Sequence, residues 1–155
     1  MKEHLLEAVK PYGETVMLAY GGGSIKTKGI YQEVMDVLKL AGKQVIEFSG
    51  IMPNPTYSKV MEGKKVVQEN QVDLILAVGG GSVMDCSKAI SMAAATDKDV
   101  WEEYWIKKGE IDFEPVPVGV IVTVVGTGSE VNGEGVITHE EQKIKTSRNY
   151  PRCNP

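Results

Sequence analysis

The sequence predicts an α/β fold in which helices cover both faces of a parallel sheet, and three observations carry that prediction. Short apolar runs ending in glycine alternate with longer segments of helical period, the pattern of βαβ units. Two of the runs end in the same turn: Leu18-Ala19-Tyr20-Gly21-Gly22-Gly23-Ser24-Ile25 and Leu76-Ala77-Val78-Gly79-Gly80-Gly81-Ser82-Val83. The run Val72 to Val78 is apolar almost throughout, as a strand must be when both its faces are covered, which places it at the centre of the sheet.

In chain order, residues 3–10 read as a short helix and Thr15 to Tyr20 as a strand. Lys28 to Leu40 reads as a helix with Ile30, Val34 and Leu38 on one stripe, stopped by Gly42. Lys43 to Phe48 is a second strand. Asn54-Pro55 offers an N-cap and a first-turn proline for a helix from Thr56 to Asn70, with Val60, Gly63 and Val67 on one face. After the central strand comes a helix from Val83 to Ala95, where Ser82 and Asp85 have the spacing of a capping box. Asp97 to Lys107 is polar but carries Trp101, Tyr104 and Trp105. Pro115-Val116-Pro117 leads into the apolar strand Val118 to Val125, and Gly135 to Thr138 is a last short strand before a polar stretch. No linker divides the chain, so one domain is expected.

Composition removes several classes of function. The 155 residues carry 17 Lys plus Arg against 21 Asp plus Glu, a net charge of −4, and only 6% are aromatic. Such a surface offers neither a basic stripe for a duplex nor stacking platforms for single strands, so no nucleic-acid partner is expected. The amino end has no apolar run long enough for a leader or a membrane span, which places the chain in the cytoplasm with no membrane contact. Cys86 and Cys153 are too few for a disulfide framework, and Cys86 reads as a small helix residue. The two histidines, His4 and His139, have no second ligand at metal spacing; each reads as a lone surface imidazole, and His139-Glu140-Glu141 as a solvated turn.

The glycine turns are the functional signal. Glycine between a strand and a helix lets backbone approach an anion, and the N–H groups of the first helical turn donate to it. Both turns should lie on the carboxyl edge of one sheet, where open α/β sheets bind ligands. The plainer alternative is that glycine only makes the tight turn and Ser82 only caps the helix. No cluster completes G-x-G-x-x-G, since Met84, Lys26 and Val131 stand where the last glycine belongs. The lysines nearby, Lys26, Lys28 and Lys88, are not at phosphate-loop spacing. A third cluster, Thr123 to Glu130, combines glycine with hydroxyls at a strand end and could hold a ribose or an amide, or simply end the strand. Ser24, Ser82 and Ser129 lack the nucleophile elbow of a serine hydrolase.

Ala77-Val78-Gly79-Gly80-Gly81-Ser82-Val83-Met84-Asp85-Cys86-Ser87-Lys88, then Thr123 to Glu130 and Val136-Ile137-Thr138, resemble in order and spacing the iron-containing, or group III, alcohol dehydrogenase family. Tyr20-Gly21-Gly22-Gly23-Ser24-Ile25-Lys26 resembles its butanol dehydrogenase branch, and the likeness runs over nearly the whole chain. It implies a Rossmann-like sheet of the kind that forms the amino-terminal domain of dehydroquinate synthase-like proteins. It also implies that Gly79, Gly80, Gly81 and Ser82 bind a cofactor pyrophosphate, with Asp85 and Lys88 in the same motif. Thr123 and Thr127 would line the ribose and nicotinamide, Lys145 would reach the cofactor, and Asn54 and Pro55 would lie beside the adenosine. Relatives selective for NAD have an aspartate after the first strand; here Gly21, Gly22, Gly23 and Ser24 take its place, so NADP is favoured over NAD.

The resemblance further implies that residues 1–155 are an NAD(P)-binding domain short at both ends. A strand pair would precede it, and a helical domain supplying one aspartate and three histidines to a divalent metal, iron or zinc, would follow Pro155. No metal ligand or catalytic group is therefore carried over, and this chain alone would be a poor catalyst for small aldehydes and alcohols. The oligomeric state stays open, self-association of an exposed cleft face included. A nucleotide- or sugar-phosphate-binding module without chemistry is the alternative from another class. A flavodoxin-like or response-regulator domain is disfavoured, because no phosphoacceptor aspartate ends a strand.

Overall fold

The computed structural model describes residues 2–123 and 129–155. Helix α1 (Lys2–Val9) precedes strand β1 (Thr15–Tyr20), the short helix α2 (Ser24–Thr27) and helix α3 (Ile30–Leu40). Strand β2 (Gln44–Phe48), helix α4 (Tyr57–Asn70), strand β3 (Leu74–Gly79) and helix α5 (Gly81–Ala93) follow. A π-helical segment (Trp101–Ile106), strand β4 (Val118–Val122) and the hairpin of β5 (Glu134–His139) with β6 (Ile144–Asn149) complete the described elements. The main sheet is parallel with strand order β2-β1-β3-β4. Every residue of β3 is buried, as its continuous apolar run requires of a strand flanked by β1 and β4.

Alternation along the strands sorts the core into two layers. Val16, Leu18, Leu74, Leu76 and Val78 pack on Leu5 and Val9 of α1 and on Val34, Val37 and Leu38 of α3. Met17, Ala19, Ile75 and Ala77 point the other way, onto Val60 and Val67 of α4 and Ala89 and Ile90 of α5. Each large side chain so buried is worth roughly 1.5–3 kcal/mol over its exposed state. Helix α5 is buried from Val83 to Ala93 because it lies between this layer and the β5–β6 hairpin.

Four local features differ from the sequence reading. The expected helix at Lys28 begins at Ile30, because Gly29 turns left-handed (φ 76°) and separates α3 from the short α2 before it. Helix α4 is capped by Thr56, whose hydroxyl accepts from the Lys59 N–H at 3.2 Å, and not by Asn54. Asn54 has φ 55°, and the Pro55 carbonyl is taken by the Thr138 N–H at 3.0 Å, so both precede the helix. The expected Ser82–Asp85 capping box does not form: Gly80 is the N-cap without a side-chain bond, and Asp85 turns to β5 instead. The polar stretch after Thr138 contains β6, antiparallel to β5. Of the strand read as Val118 to Val125, β4 is seen to Val122, and Val124 and Val125 lie outside the described residues.

The β5–β6 hairpin docks on the start of α4. Thr138 bridges Thr56, and the Glu140 carboxylate accepts from the Ser58 N–H at 3.1 Å and from its hydroxyl at 2.6 Å. His139 is half-buried, stacked on Tyr57 at 5.0 Å and beside Trp101 at 5.0 Å, so it is an aromatic packing group and not the lone surface imidazole the sequence suggests. Glu140 likewise is more than part of a solvated turn, since it serves two donors at a helix start.

Two predictions follow from this packing. A Cβ at Gly63 would meet Ile90 Cδ1 at 2.3 Å and Cγ1 at 2.7 Å, and Ile90 is fully enclosed. Gly63→Leu should therefore cost about 1–3 kcal/mol, read as a lower urea midpoint at unchanged slope. The Ser58 hydroxyl and N–H hold the Glu140 carboxyl below its ordinary pKa. A depressed folded value gives stability that is present above the unfolded pKa and lost as pH falls through the folded one. Glu140→Gln should accordingly lower Tm at neutral pH, with the gap to wild type closing in acid; a gap constant into acid would remove the carboxylate's role.

Candidate functional site

Strands β1 and β3 are parallel neighbours, yet their crossovers leave in opposite directions, β1 to β2 through α3 on one face and β3 to β4 through α5 on the other. A crevice opens between their carboxyl ends at such a switch point. The register Tyr20↔Val78 sets the two Gly-Gly-Gly-Ser turns side by side on that edge. The Val83 side chain lies under both, 3.8 Å from where a Cβ would stand on Gly21 and 2.7 Å from where one would stand on Gly79. A Cβ on Gly21 would also approach the Ile51 carbonyl to 3.0 Å, so only glycine passes between the turns without displacement. Gly22 and Gly23 instead face open space, and Ser24 is exposed. The Thr123 N–H donates to the Gly79 carbonyl at 3.0 Å and holds the end of β4 against the second turn.

A cavity of about 280 Å³ lies over the start of α5, lined by Asn54, Pro55, Gly81, Ser82, Asp85 and Lys145, with Val136 beside them. Six residues singled out in the sequence thus meet at one place. The helix's first i→i−4 bond runs from the Met84 N–H to the Gly80 carbonyl at 3.2 Å, so the N–H groups of Gly81, Ser82 and Val83 have no carbonyl within the helix. Across the cavity the Lys145 ammonium donates to the Asn54 side-chain oxygen at 2.6 Å. Lys145 comes from β6, which the sequence reading left as a polar stretch; alternation in Ile144-Lys145-Thr146-Ser147 after a turn at Lys143 was the available signal.

The other motif residues take structural places. Asp85 is buried, and its carboxylate accepts from the Val136 N–H at 3.2 Å. Lys88 is fully enclosed and donates to the Asn132 side chain at 3.2 Å and the Glu134 carbonyl at 3.0 Å, so it anchors the start of β5 and does not line the cavity. Burial pulls its ammonium pKa down, against the opposing pull of the Asp85 carboxylate. Burial also pushes the thiols of Cys86 and Cys153 up to about 12, so neither is a nucleophile at neutral pH. Thr127 lies outside the described residues.

Two larger hollows, of about 340 and 420 Å³, lie elsewhere, the first at the amino end of β4 by Pro115 and Pro117 and the second by Lys108 and Tyr150. Neither is on the carboxyl edge nor receives a glycine turn. Among the described residues no group of three or more His, Cys, Asp and Glu side chains could hold a metal ion, and no helix is long and apolar enough to cross a membrane.

Comparison with known proteins places this geometry. Over 153 residues the chain is 44% identical to the probable NADH-dependent butanol dehydrogenase 1 of Bacillus subtilis, covering 99% of this chain and 39% of that protein. It is 40% identical over 146 residues to the NADPH-dependent aldehyde reductase YqhD of Escherichia coli, covering 94% and 37%. The crystal structure of NADH-dependent butanol dehydrogenase A from Thermotoga maritima superposes with a TM-score of 0.90 at 38% identity, over 100% of this chain and 38% of that one. The chain thus spans about two fifths of the length of the relatives it matches. Residues 2–155 match the model of the iron-containing alcohol dehydrogenases, and the chain belongs to that family.

Proposed function

We propose that residues 1–155 are the NAD(P)-binding part of a dehydrogenase that interconverts small aldehydes and primary alcohols by hydride transfer. The observation that carries this reading is the pair of glycine turns at the switch point, with the Asn54–Lys145 cavity over the start of α5 beside them. The residues fit a dinucleotide. The N–H groups of Gly81, Ser82 and Val83, which have no carbonyl partner among the described residues, would receive the pyrophosphate with help from the helix dipole, as the backbone freedom of Gly79 to Gly81 permits. Lys145 would add a cation to one wall and Asn54 a polar contact to another. Thr123, with Thr127, would line the ribose and nicotinamide. The turn Gly21-Gly22-Gly23-Ser24 would lie by the adenosine ribose.

A bound nicotinamide supplies the hydride donor or acceptor, and these side chains bind and orient it. The family is named for iron, but the described residues offer no cluster that fits a metal, so they are assigned to cofactor binding alone. Relatives' names divide between NADH and NADPH. The absence of a carboxylate from Gly21 to Ser24 supports NADP, since nothing in the turn repels a 2′-phosphate.

Calorimetric titration with NADPH and NADH tests the reading. Binding of either supports a dinucleotide site, and tighter binding of NADPH supports the reading of the first turn. Heat with nucleoside or sugar phosphates but with neither dinucleotide would replace it by a binding module without chemistry. Gly80→Val puts a branched side chain where the pyrophosphate approaches, and should weaken the bound dinucleotide at least tenfold, ~1.4 kcal/mol, with far-UV circular dichroism unchanged.

A further inference from the structure

We infer that Lys26 is the specificity-determining residue that selects a dinucleotide bearing a 2′-phosphate; the inference rests on the dinucleotide reading above. Lys26 sits on α2, two residues after the first glycine turn. Its ammonium stands over the ring of Tyr31 at 4.9 Å and over that of Tyr20, the last residue of β1, at 5.7 Å. The rings themselves meet edge to face at 5.9 Å. A lysine over two aromatic faces loses much of its freedom, so an exposed side chain is held at one spot on the carboxyl edge.

The charge is available. No ion pair among the described residues uses Lys26. The Glu47 carboxylate, on β2 next to β1, accepts from the Tyr20 hydroxyl at 2.9 Å and raises the pKa of the Tyr31 hydroxyl. In a dinucleotide-binding sheet an acidic residue at a strand end ordinarily bonds the ribose hydroxyls and repels a 2′-phosphate. Here that kind of residue is occupied by two tyrosines, and their rings carry a cation. Space is available as well, since a Cβ on Gly22 or Gly23 would meet no atom within 4 Å. A phosphate monoester seated against this turn would meet backbone without side chains on one side and the Lys26 ammonium on the other, a charge-assisted contact that a ribose hydroxyl cannot match.

The test titrates the 155-residue chain and its Lys26→Ala, Lys26→Arg and Lys28→Ala variants with NADPH and with NADH at low salt. Lys28 is an exposed neighbour with no ring beneath it and controls for general loss of charge. Lys26→Ala should weaken NADPH about tenfold, ~1.4 kcal/mol, and leave NADH within about twofold, while Lys26→Arg retains the preference and Lys28→Ala changes neither. In the wild type, NADPH affinity should fall more steeply with added salt than NADH affinity, a readout that needs no variant. Equal weakening of both cofactors, no weakening of NADPH, or equal salt slopes would overturn the role of Lys26 and leave the dinucleotide site standing. A wild-type chain that binds NADH alone would do the same, and one that binds neither would overturn both.

Discussion

Parallel pairing of β1 with β3 is the constraint on which the remaining geometry depends. Antiparallel neighbours would put one glycine turn on each edge of the sheet; the parallel register Tyr20↔Val78 forces both onto the same edge, within reach of one side chain, Val83. Because the crossovers part to opposite faces, neither helix covers the gap between the strand ends. The sheet thus has to bury both faces of β3 to exist, and in doing so it leaves its carboxyl edge open at the point where backbone is barest.

The hairpin completes one wall of the cavity, and its attachment is expensive. Asp85 and Lys88 are buried charges, which cost several kcal/mol each when isolated. They are one helical turn apart on α5, and each satisfies a backbone group of the hairpin, Asp85 the Val136 N–H and Lys88 the Glu134 carbonyl. Two backbone groups of β5 that would otherwise be stranded against a helix thereby gain partners, and the two charges offset each other. The far end of the hairpin is fixed by Glu140 on Ser58 and by the His139–Tyr57–Trp101 stack. Lys145 reaches Asn54 because both ends of its hairpin are held.

The parts legible in the sequence were those whose signal is local. The apolar run of β3 needs no knowledge of its neighbours to be read as a covered central strand, and the repeated Gly-Gly-Gly-Ser names the shared edge. Elements whose partners are distant were misread. Asn54-Pro55 looks like a helix start until Thr138 takes the Pro55 carbonyl, and Ser82-x-x-Asp85 looks like a capping box until Val136 takes the carboxylate. In both cases a hydrogen bond from more than fifty residues along the chain outcompetes the local one. Strand β6 was missed because its residues are mostly polar, and its pairing partner sets its conformation more than its own composition does.

An acidic side chain in the wall of the proposed phosphate site poses an electrostatic problem, and the arrangement around Asp85 resolves it. Its carboxylate belongs to the first turns of α5, where it would oppose a phosphate held by the same helix end. Its bond to the Val136 N–H directs an oxygen toward β5, and Lys88, one turn along, places a compensating charge on the same buried side. The cavity retains the partial positive charge of the first-turn N–H groups of α5 and the Lys145 ammonium opposite them. The motif's aspartate and lysine are therefore best understood as two opposite buried charges, each bonded to the hairpin, that fix it without cancelling the field at the glycine turn.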